Sequence, residues 1–321
     1  MRRTHPILDI KDKPINYISK TPLAISMGDI RHTPPHIHSR AIEFVFCLKG
    51  TVSLVCNHQK IELQEGEMFT IDLEDLHCVF SDKENVTLTV HLDLSKVSMP
   101  FELWSQAYIA CEDLSCEDFQ IRHLEQMKYY LLSVAFAHAK AKEFNPEYAA
   151  KASDTIADYM YEHFDWISLI SKNPPHDNKD LVDRFRTIYD YCYGHSEEKL
   201  RISMLAEKVH INENYFSQFI KKSPYGNFSL MVGYMRCYEA QTLLLTTSKS
   251  IVEISDLCGF SDDKYFYKNF KYWWKTTPTS FRKWYSDYMK TPEEANYFSN
   301  EESVSILASY ISEYMSGHIF G

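Results

Sequence analysis

Long apolar runs and paired cysteines are both missing from this 321-residue sequence. No stretch approaches the roughly 20 consecutive apolar residues that a membrane-spanning helix needs, and the first residues lack the apolar core of a signal peptide. The eight cysteines show neither a Cys-x-x-Cys pair nor the spacing of a disulfide framework, so they predict reduced thiols. Together these absences predict a cytoplasmic protein.

Signatures of the common enzyme classes are missing as well. The sequence has no phosphate-binding loop, no dinucleotide fingerprint and no recognisable pairing of a nucleophile with a base, so we expect no catalytic residues and no enzyme activity. Nine glycines and twelve prolines argue against a low-complexity chain, and a hydrophobic fraction of 45% can build ordinary cores. At this length, two domains are expected.

What the sequence does contain is a pair of short predicted helices within residues 250–282. Ile251, Ile254 and Leu257 recur at helical spacing and predict the buried stripe of the first helix. Gly259 follows them, and its missing Cβ permits the left-handed turn that ends a helix.

The second predicted helix of the pair begins after Ser261, which is expected to cap it. Tyr265, Phe266 and Phe270 predict its buried side, and Pro278 lies beyond its end. Two short helices joined by a glycine turn, the second with a polar outer face, form the helix-turn-helix pattern.

An earlier copy of this pattern is present in the chain. Its corresponding positions lie 49 or 50 residues before those of the later copy, at Ile202, Leu205, Ala206, Tyr215, Phe216 and Ile220. Between the copies, residues 228–245 predict one connecting helix. Arg236 on this helix is expected to support the structure more than to contact bases.

The tandem repeat resembles the DNA-binding domain of the AraC/XylS family of bacterial transcription regulators, through the segments LAEKVHINENYFSQFIKK, MRCYEAQTLL and EISDLCGFSDDKYFYKNFK…TPTSFR. The resemblance covers roughly the last third of the chain. It implies a homodimer that binds double-stranded promoter DNA, associates with the nucleoid and responds to a small-molecule effector, with RNA polymerase as a further partner. Tyr225, Lys275 and His210 stand where the family has glycine, which leaves the local turn shapes open.

The outer face of the second helix in each copy predicts the contacts to DNA. Two such helices fixed by one connecting helix are expected to enter successive major-groove segments about 34 Å apart. Asparagine and glutamine suit adenine, lysine suits guanine, and an acidic side chain accepts from cytosine. The alternative for any single residue is a solvated helix face. The expected DNA-binding residues are Asn214, Ser217, Gln218, Lys221, Asp263, Lys264, Tyr267, Lys268 and Lys271.

Charge is distributed unevenly along the chain, which carries a net −10. Residues 180–290 hold 16 basic and 13 acidic side chains, a net +3, whereas residues 1–179 carry a net −8. Residues 291–321 hold five acidic side chains and no basic one. Because only the repeat segment is basic, and only mildly, we expect few phosphate contacts and DNA binding that is steeply salt-dependent.

The N-terminal part predicts many short strands. Apolar and polar residues alternate there, and turn residues such as Gly50 and Gly66 separate the segments. Closely spaced short strands are typical of a barrel or sandwich. The predicted strands are residues 15–19, 24–29, 43–49, 51–56, 60–63, 68–73 and 87–93.

Two stretches of this region resemble cupin motifs. They are His36-x-His38-x4-Glu43-x6-Gly50 and Gly66-x10-His77. The second motif is only partly kept, because Asp72, Glu74 and Ser81 stand where it has proline, glycine and asparagine. The resemblance implies a small N-terminal cupin-like β-barrel. With the segments that follow, it predicts an α+β fold of two domains, in which the barrel is followed by helices and the C-terminal domain is an all-α tandem helix-turn-helix.

The cupin histidines predict a polar cluster at the mouth of the barrel, where small ligands commonly bind. The expected effector-binding residues are His36, His38, Arg40, Glu43 and His77. Of these, His36, His38, Glu43 and His77 also suit a divalent zinc, iron, manganese or nickel ion. Because the second motif is eroded, we expect no metal and no cofactor. The competing hypothesis is a cupin metalloenzyme with an accessory DNA-binding module.

The remaining segments complete the domain plan. Residues 117–143 and 147–170 predict two amphipathic helices, which either form a dimer contact or cover the barrel. Residues 291–299 predict a turn, and a last helix follows it. Whether this tail packs on the DNA-binding domain or on a partner subunit is left open. The expected divisions are an effector-binding and dimerisation domain at 1–170, a linker at 171–179, a DNA-binding domain at 180–290 and a tail at 291–321.

Overall fold

The computed structural model describes residues 12–18, 20–57, 59–104, 109, 111, 121–165, 179–288 and 290–319. They form two compact units. One contains residues 12–56, 60–165 and the C-terminal segment from Pro292, and the other contains Asn57, Gln59 and the described residues from Lys179 to Thr291. Of the predicted linker, only Lys179 lies among the described residues, and it begins a helix.

The first unit is built on an antiparallel sheet that curls into a nearly closed barrel. Its first seven strands are β1 Leu23–His32, β2 Ala41–Lys49, β3 Thr51–Cys56, β4 Gln59–Gln64, β5 Met68–Ile71, β6 His77–Phe80 and β7 Val86–Asp93. They lie in the order β4-β3-β6-β1-β7-β2-β5. The barrel prediction is confirmed, although residues 15–18 are not a strand and β6 was not predicted.

Strand β2 is apolar on both faces because each face meets a different core. Phe44 and Phe46 belong to the cluster that includes the helices of this unit. Val45 and Cys47 belong to a second cluster formed with the other strands. A strand that is covered on both sides has a nearly continuous apolar sequence, which explains why this segment alternates so little.

Three helices follow the barrel strands. They are α1 Phe101–Trp104, α2 Ile121–Lys140 and α3 Pro146–Phe164. Asn145 caps α3 by accepting from the first backbone N–H groups, and Pro146 occupies its first turn. Leu131 of α2 and Met160 of α3 are completely buried in the core that they share with β2. The predicted helix pair therefore forms, and residues 117–120 and 166–170 of its expected extent lie outside the described residues.

Between Lys179 and Thr291, the regular secondary structure of the second unit is all helical among the described residues. Its helices are α4 Lys179–Gly194, α5 Ile202–Lys208, α6 Glu213–Lys221, α7 Phe228–Thr246, α8 Ile251–Leu257, α9 Asp263–Trp274 and α10 Pro278–Tyr288. The pairs α5–α6 and α8–α9 are the two helix-turn-helix copies, and α7 connects them. The predicted all-α tandem arrangement is confirmed.

The second helix of each copy begins with an equivalent cap. The side chain of Asn212 accepts from the backbone N–H of Tyr215, and that of Asp262 accepts from Tyr265. Because Asp262 takes this role in α9, the prediction that Ser261 caps the helix is wrong.

The turns of the two copies adopt left-handed backbone even where glycine is absent. Gly259 has a φ of +74°, and an added Cβ there would collide with the Glu197 carbonyl oxygen. His210, the matching residue of the first copy, has a φ of 55°, and Lys275 has a φ of 51°. Gly226 takes the same conformation directly after Tyr225. The departures from the family's glycine pattern therefore leave left-handed turns in place.

The buried stripe of α8 differs from the prediction at its last residue. Ile254 is fully buried, as expected, but Leu257 is 53% exposed. Ser255 is buried instead, at 1% exposure. Leu257 is the last residue of α8, and its side chain is not covered by another helix.

The C-terminal segment returns to the barrel unit. It forms strand β8 Glu294–Tyr297, which pairs antiparallel with β1, and helix α11 Asn300–Ile319, which contacts α2. Leu307 of this helix is 1% exposed and belongs to the barrel core. The last helix was predicted, but the turn expected at 291–299 is a strand because it pairs with β1. Among the described residues, no helix is both long and apolar enough to cross a membrane.

Candidate functional site

Four polar side chains converge inside the barrel unit: His36, His38, Glu43 and His77. All four are buried, and one nitrogen or oxygen atom of each lies within 4.8 Å of those of the other three. Glu43 projects from β2, and His77 begins β6. A backbone bridge between His36 and His77, with N–O distances of 2.9 and 3.0 Å, holds the two histidines side by side. The structure thus brings the cupin-motif residues into one cluster.

The predicted site residues lie in segments of different regularity, and one of them, Arg40, lies apart from the others. His36 and His38 lie in the segment before β2, which is held by isolated bridges and is not a regular strand. His77, by contrast, is the first residue of β6. Arg40 is exposed and does not line the cavity beside the cluster, so the structure separates it from the other four predicted residues.

His91 is a fifth member of the cluster that sequence reasoning missed. It faces Glu43 across the β2–β7 ladder, and its Nε2 lies 3.3 Å from Glu43 Oε2. The alternation in β7 does place Thr89 and His91 on one face, opposite Val90. That signal could not show which face points into the barrel, because the pairing of β7 is not visible in the sequence.

Glu43 and His77 form a buried ion pair. Glu43 Oε2 lies 2.9 Å from His77 Nε2, and His77 Nδ1 lies 2.8 Å from the Asp75 carbonyl oxygen. Burial raises the pKa of Glu43, but His91, His77 and the hydrogen bonds of the cluster outweigh it and hold this pKa well below its usual range. Burial lowers the pKa of His77, but the Glu43 carboxylate raises it more. Both ring nitrogens of His77 face acceptors, which suits an imidazolium.

The other two cupin-motif histidines favour the neutral form. Burial lowers the pKa of His36 and of His38. His36 Nδ1 lies 2.8 Å from the Pro34 carbonyl oxygen, so Nδ1 carries the proton and Nε2 keeps its lone pair. His38 Nε2 lies 3.2 Å from Glu43 Oε2 but without the angles of a hydrogen bond. The cluster therefore combines one ion pair with imidazole nitrogens that can act as ligands.

This donor set fits a divalent metal ion. The carbonyl bonds to Nδ1 of His36 and His77 are the kind of outer contact that orients metal-binding imidazoles. Bonds of about 2.0–2.2 Å place two ligands of one ion at most about 4.4 Å apart. The observed 4.8 Å spread therefore needs only slight contraction. The altered second cupin motif does not keep His77 from the cluster, although we had expected it to disfavour metal. His36, His38, Glu43 and His77 would hold the ion, and the His77 proton would leave.

A cavity of about 440 Å³ lies beside the cluster. His36, His38, Glu43 and His91 line one side of it, and His77 is completely buried. The rest of the wall is both polar and apolar, and includes Lys13, Asn16, Ile25, Ile30, Thr33, Val79, Thr89 and Tyr297. Cavities of this size with a few convergent polar groups are typical small-ligand sites.

The helical unit presents the predicted DNA-binding residues at its surface. Eight of the nine are exposed, and Tyr267 is partly buried with its hydroxyl 3.1 Å from Thr279 Oγ1. The opposite faces of α6 and α9 are buried, for example at Phe216 and Phe266, both at 0% exposure. Tyr215, predicted on the buried side, is 47% exposed. Apart from this residue, the phase of both helices agrees with the prediction and leaves their polar faces accessible.

Two stretches of the chain match known family models. Residues 205–283 match a model described as a helix-turn-helix domain, and residues 28–92 match one described as a cupin domain. The first match begins within α5 and covers the rest of the first helix-turn-helix copy and all of the second. The chain contains an AraC-type helix-turn-helix domain. Its AraC-type domain follows a cupin domain in the same chain.

Two proteins that are similar in sequence to this chain are named as regulatory proteins. The Msm operon regulatory protein of Streptococcus mutans is 24% identical over 251 residues, covering 74% of this chain and 82% of its own length. Regulatory protein PocR of Salmonella typhimurium is 32% identical over 108 residues, but only 34% of either chain is covered. A crystal structure of ToxT from Vibrio cholerae is 10% identical, with a TM-score of 0.42 and coverage of 84% of this chain and 99% of its own.

Arg236 of the AraC-type domain has a supporting position. Its Nε donates to the Ser196 carbonyl oxygen at 2.7 Å, and a terminal guanidinium nitrogen donates to the Glu198 carbonyl oxygen at 2.8 Å. These bonds join the connecting helix α7 to the segment before α5. This geometry agrees with the expectation that Arg236 supports the fold more than it contacts bases.

Proposed function

We propose that this AraC-type protein is a ligand-responsive transcription regulator whose barrel cavity binds a small organic effector. The observation that carries the proposal is the cavity of about 440 Å³, lined by a buried polar cluster, in the same chain as the AraC-type domain. An effector can change promoter occupancy only if it binds the two states of the regulator with different affinities.

The proposed DNA contacts lie on α6 and α9. Asn214, Gln218 and Lys268 are exposed on these helices, and each has a side chain that can read a base edge. Lys221, Lys264 and Lys271 add positive charge for phosphates. The remaining members of the proposed contact set are Ser217, Asp263 and Tyr267.

We also propose a homodimer that forms through α2 and α3. Three large side chains on this helix pair are left exposed: Ile121 at 50%, Tyr129 at 41% and Tyr148 at 44%. Apolar and aromatic residues of this kind are enriched at protein interfaces. Analytical ultracentrifugation of the full-length protein tests this, because a dimer should dissociate in an Ile121→Glu, Tyr129→Glu variant.

Selection of genomic DNA fragments tests the regulator proposal directly. We expect the full-length protein to enrich specific fragments, and the enriched set or its affinity to change when a small-molecule extract of bacterial cells is added. If the extract has no such effect on a His38→Ala variant, then its effect on the parent protein depends on the cavity. Enrichment that is the same with and without extract, at every concentration tried, would contradict the ligand-responsive part of the proposal.

Gln218→Ala and Lys268→Ala should each weaken specific DNA binding by about 1–3 kcal/mol, because each removes a candidate base contact. Binding to random duplex should fall less, since its affinity comes from phosphate contacts. Fluorescence anisotropy at fixed salt measures both. Lys83→Ala, which removes an exposed lysine of the barrel unit, is the control and should bind like the parent. Parent-like specific binding by either test variant would remove that residue from the contact set.

A second candidate function is a cupin metalloenzyme with an accessory DNA-binding module, and the compact donor set of His36, His38, Glu43 and His77 favours it. This alternative predicts about one zinc, iron, manganese or nickel ion per chain after dialysis, measured by elemental analysis. His77→Ala should then abolish metal binding. His138→Ala, which changes a histidine of α2, should retain the bound metal. Our main proposal expects no ion to be retained.

A further inference from the structure

The C-terminal segment forms part of the cavity wall. Glu293 and Tyr297 line the cavity, and His36, Glu43 and His91 lie on its walls as well. These two residues come after the AraC-type domain in the chain, yet they belong to the barrel unit. A ligand in the cavity therefore meets side chains from both ends of the sequence.

Strand β8 is attached to β1 by close backbone contact. Tyr297 pairs with Gly28, and the Phe298 N–H donates to the Met27 carbonyl oxygen at 2.8 Å. A Cβ added at Gly28 would lie 2.6 Å from the Asn296 carbonyl oxygen, so this approach requires glycine. The pairing of the tail thus depends on a residue that the cavity itself does not use.

Polar contacts connect the tail to the cavity. Lys13 Nζ lies 3.0 Å from one carboxylate oxygen of Glu293, and the Tyr297 hydroxyl donates to the other at 3.1 Å. Partial burial of this half-exposed side chain, then Glu293 and Glu43, raise the pKa of Tyr297 to about 12, so its hydroxyl stays protonated at neutral pH. A ligand that approaches Glu43 would therefore also meet a hydroxyl and a carboxylate that hold the tail.

The far end of the tail is anchored in the barrel core. Ser299 and Glu302 form a capping box at the start of α11, in which the Ser299 N–H donates to the carboxylate and the Glu302 N–H donates to Ser299 Oγ. Leu307 is buried in the core, and Tyr310 meets Phe46 with a ring-centroid distance of 5.9 Å. In chain order, β8 therefore lies between α10 of the AraC-type domain and a helix that is anchored in the barrel core.

We propose that β8 transmits the occupancy of the cavity to the DNA-binding helices. This inference rests on the proposed function and identifies how the cavity is coupled to DNA binding. The chain connects the two units before α4 and again between α10 and β8, and it also enters the helical unit briefly at Asn57–Gln59. A ligand that bonds to Glu293 or Tyr297 changes how firmly β8 pairs with β1, and so changes the second of these connections.

Thermodynamic coupling is reciprocal, so the proposal can be tested from the DNA side without knowing the ligand. The probe is a DNA fragment enriched in the selection experiment, and the readouts are its Kd and the amide hydrogen exchange of residues 294–298. In the parent protein, bound DNA should change this exchange about fivefold or more.

Gly28→Ala should release β8 and speed the exchange of residues 294–298 about tenfold. It should also shift the Kd for DNA about fivefold or more and remove the effect of DNA on the exchange. Gly194→Ala is the matched control, because no atom lies within 4 Å of an added Cβ there. It should match the parent in both measurements.

Phe298→Pro and Phe298→Leu form a second pair that answers the same question if Gly28→Ala does not fold. The proline lacks the N–H that bonds to Met27, whereas the leucine keeps it. We expect only the proline variant to reproduce the faster exchange and the shifted Kd.

The proposal would be overturned if Gly28→Ala or Phe298→Pro released β8 but kept a Kd for DNA within twofold of the parent. The tail would then be a structural element only. Unchanged exchange of residues 294–298 on DNA binding would overturn it as well. If selection enriches no fragment, it is the proposed function that fails. The tail can then still be tested with a random duplex at low salt, to which the helical unit should bind through phosphate contacts.

Discussion

Phe270→Ala is expected to lower the free energy of unfolding of the helical unit by about 3–5 kcal/mol. Phe270 is completely buried, and its ring lies 5.1 Å from Trp274, 5.4 Å from Phe281 and 5.6 Å from Phe266 between centroids. Truncation removes the side chain that joins α9 to α10 and leaves a cavity between them. Because α9 also carries five of the nine proposed DNA contacts, specific DNA binding should be lost together with the fold of this unit.

Calorimetry of the full-length protein can measure this effect. The transition of the helical unit should move to much lower temperature, while that of the barrel unit stays in place. Tyr272→Ala is the matched control, because it removes an aromatic ring from the same helix at a position that is 50% exposed. It should cost less than about 1 kcal/mol. Equal melting profiles for Phe270→Ala and the parent would show that α9 packs through another face.

The helical unit could be predicted closely because each of its helices buries a regular stripe. Spacing alone identified Phe266 and Phe270 as core residues, and both are fully buried. The errors fall at helix ends, where Leu257 is exposed and Asp262 is the cap. At such positions a local contact decides the outcome, and periodicity carries no information about it.

The cupin cluster could be predicted because its members follow a known spacing, but its neighbours could not. His91 joins Glu43 only through the register of β2 and β7, which the sequence does not display. Strand β8 has the sequence Glu-Ala-Asn-Tyr, with only one residue that favours strands. It is a strand because β1 offers a free edge beside Gly28, a tertiary effect that outweighs local preference. For this reason the sequence did not predict that the tail lines the cavity.

Glu43→Gln is expected to lower the free energy of unfolding of the barrel unit by about 3 kcal/mol in metal-free buffer, since removing one partner of a buried ion pair typically costs about 3–5 kcal/mol. Glu43 Oε2 lies within 3.3 Å of nitrogens of His38, His77 and His91. The amide keeps the volume of the side chain but removes its charge. His77 then either stays charged without a counter-ion, or loses its proton and accepts a neutral hydrogen bond from the amide in place of the ion pair. Glu62→Gln, an exposed glutamate on β4, is the control and should be nearly neutral.

The pH dependence separates this charge effect from a packing effect. The depressed pKa of Glu43 adds stability that is present above the ordinary glutamate pKa of about 4.3 and is lost as pH falls through the folded-state value. The raised pKa of His77 adds stability that is present below the ordinary histidine pKa of about 6.5 and is lost as pH rises through the folded-state value. The difference between parent and Glu43→Gln, measured by urea unfolding, should therefore be largest between these pH values and shrink on either side. A constant difference across this range would mean that Glu43 stabilises the barrel by its shape and not by its charge.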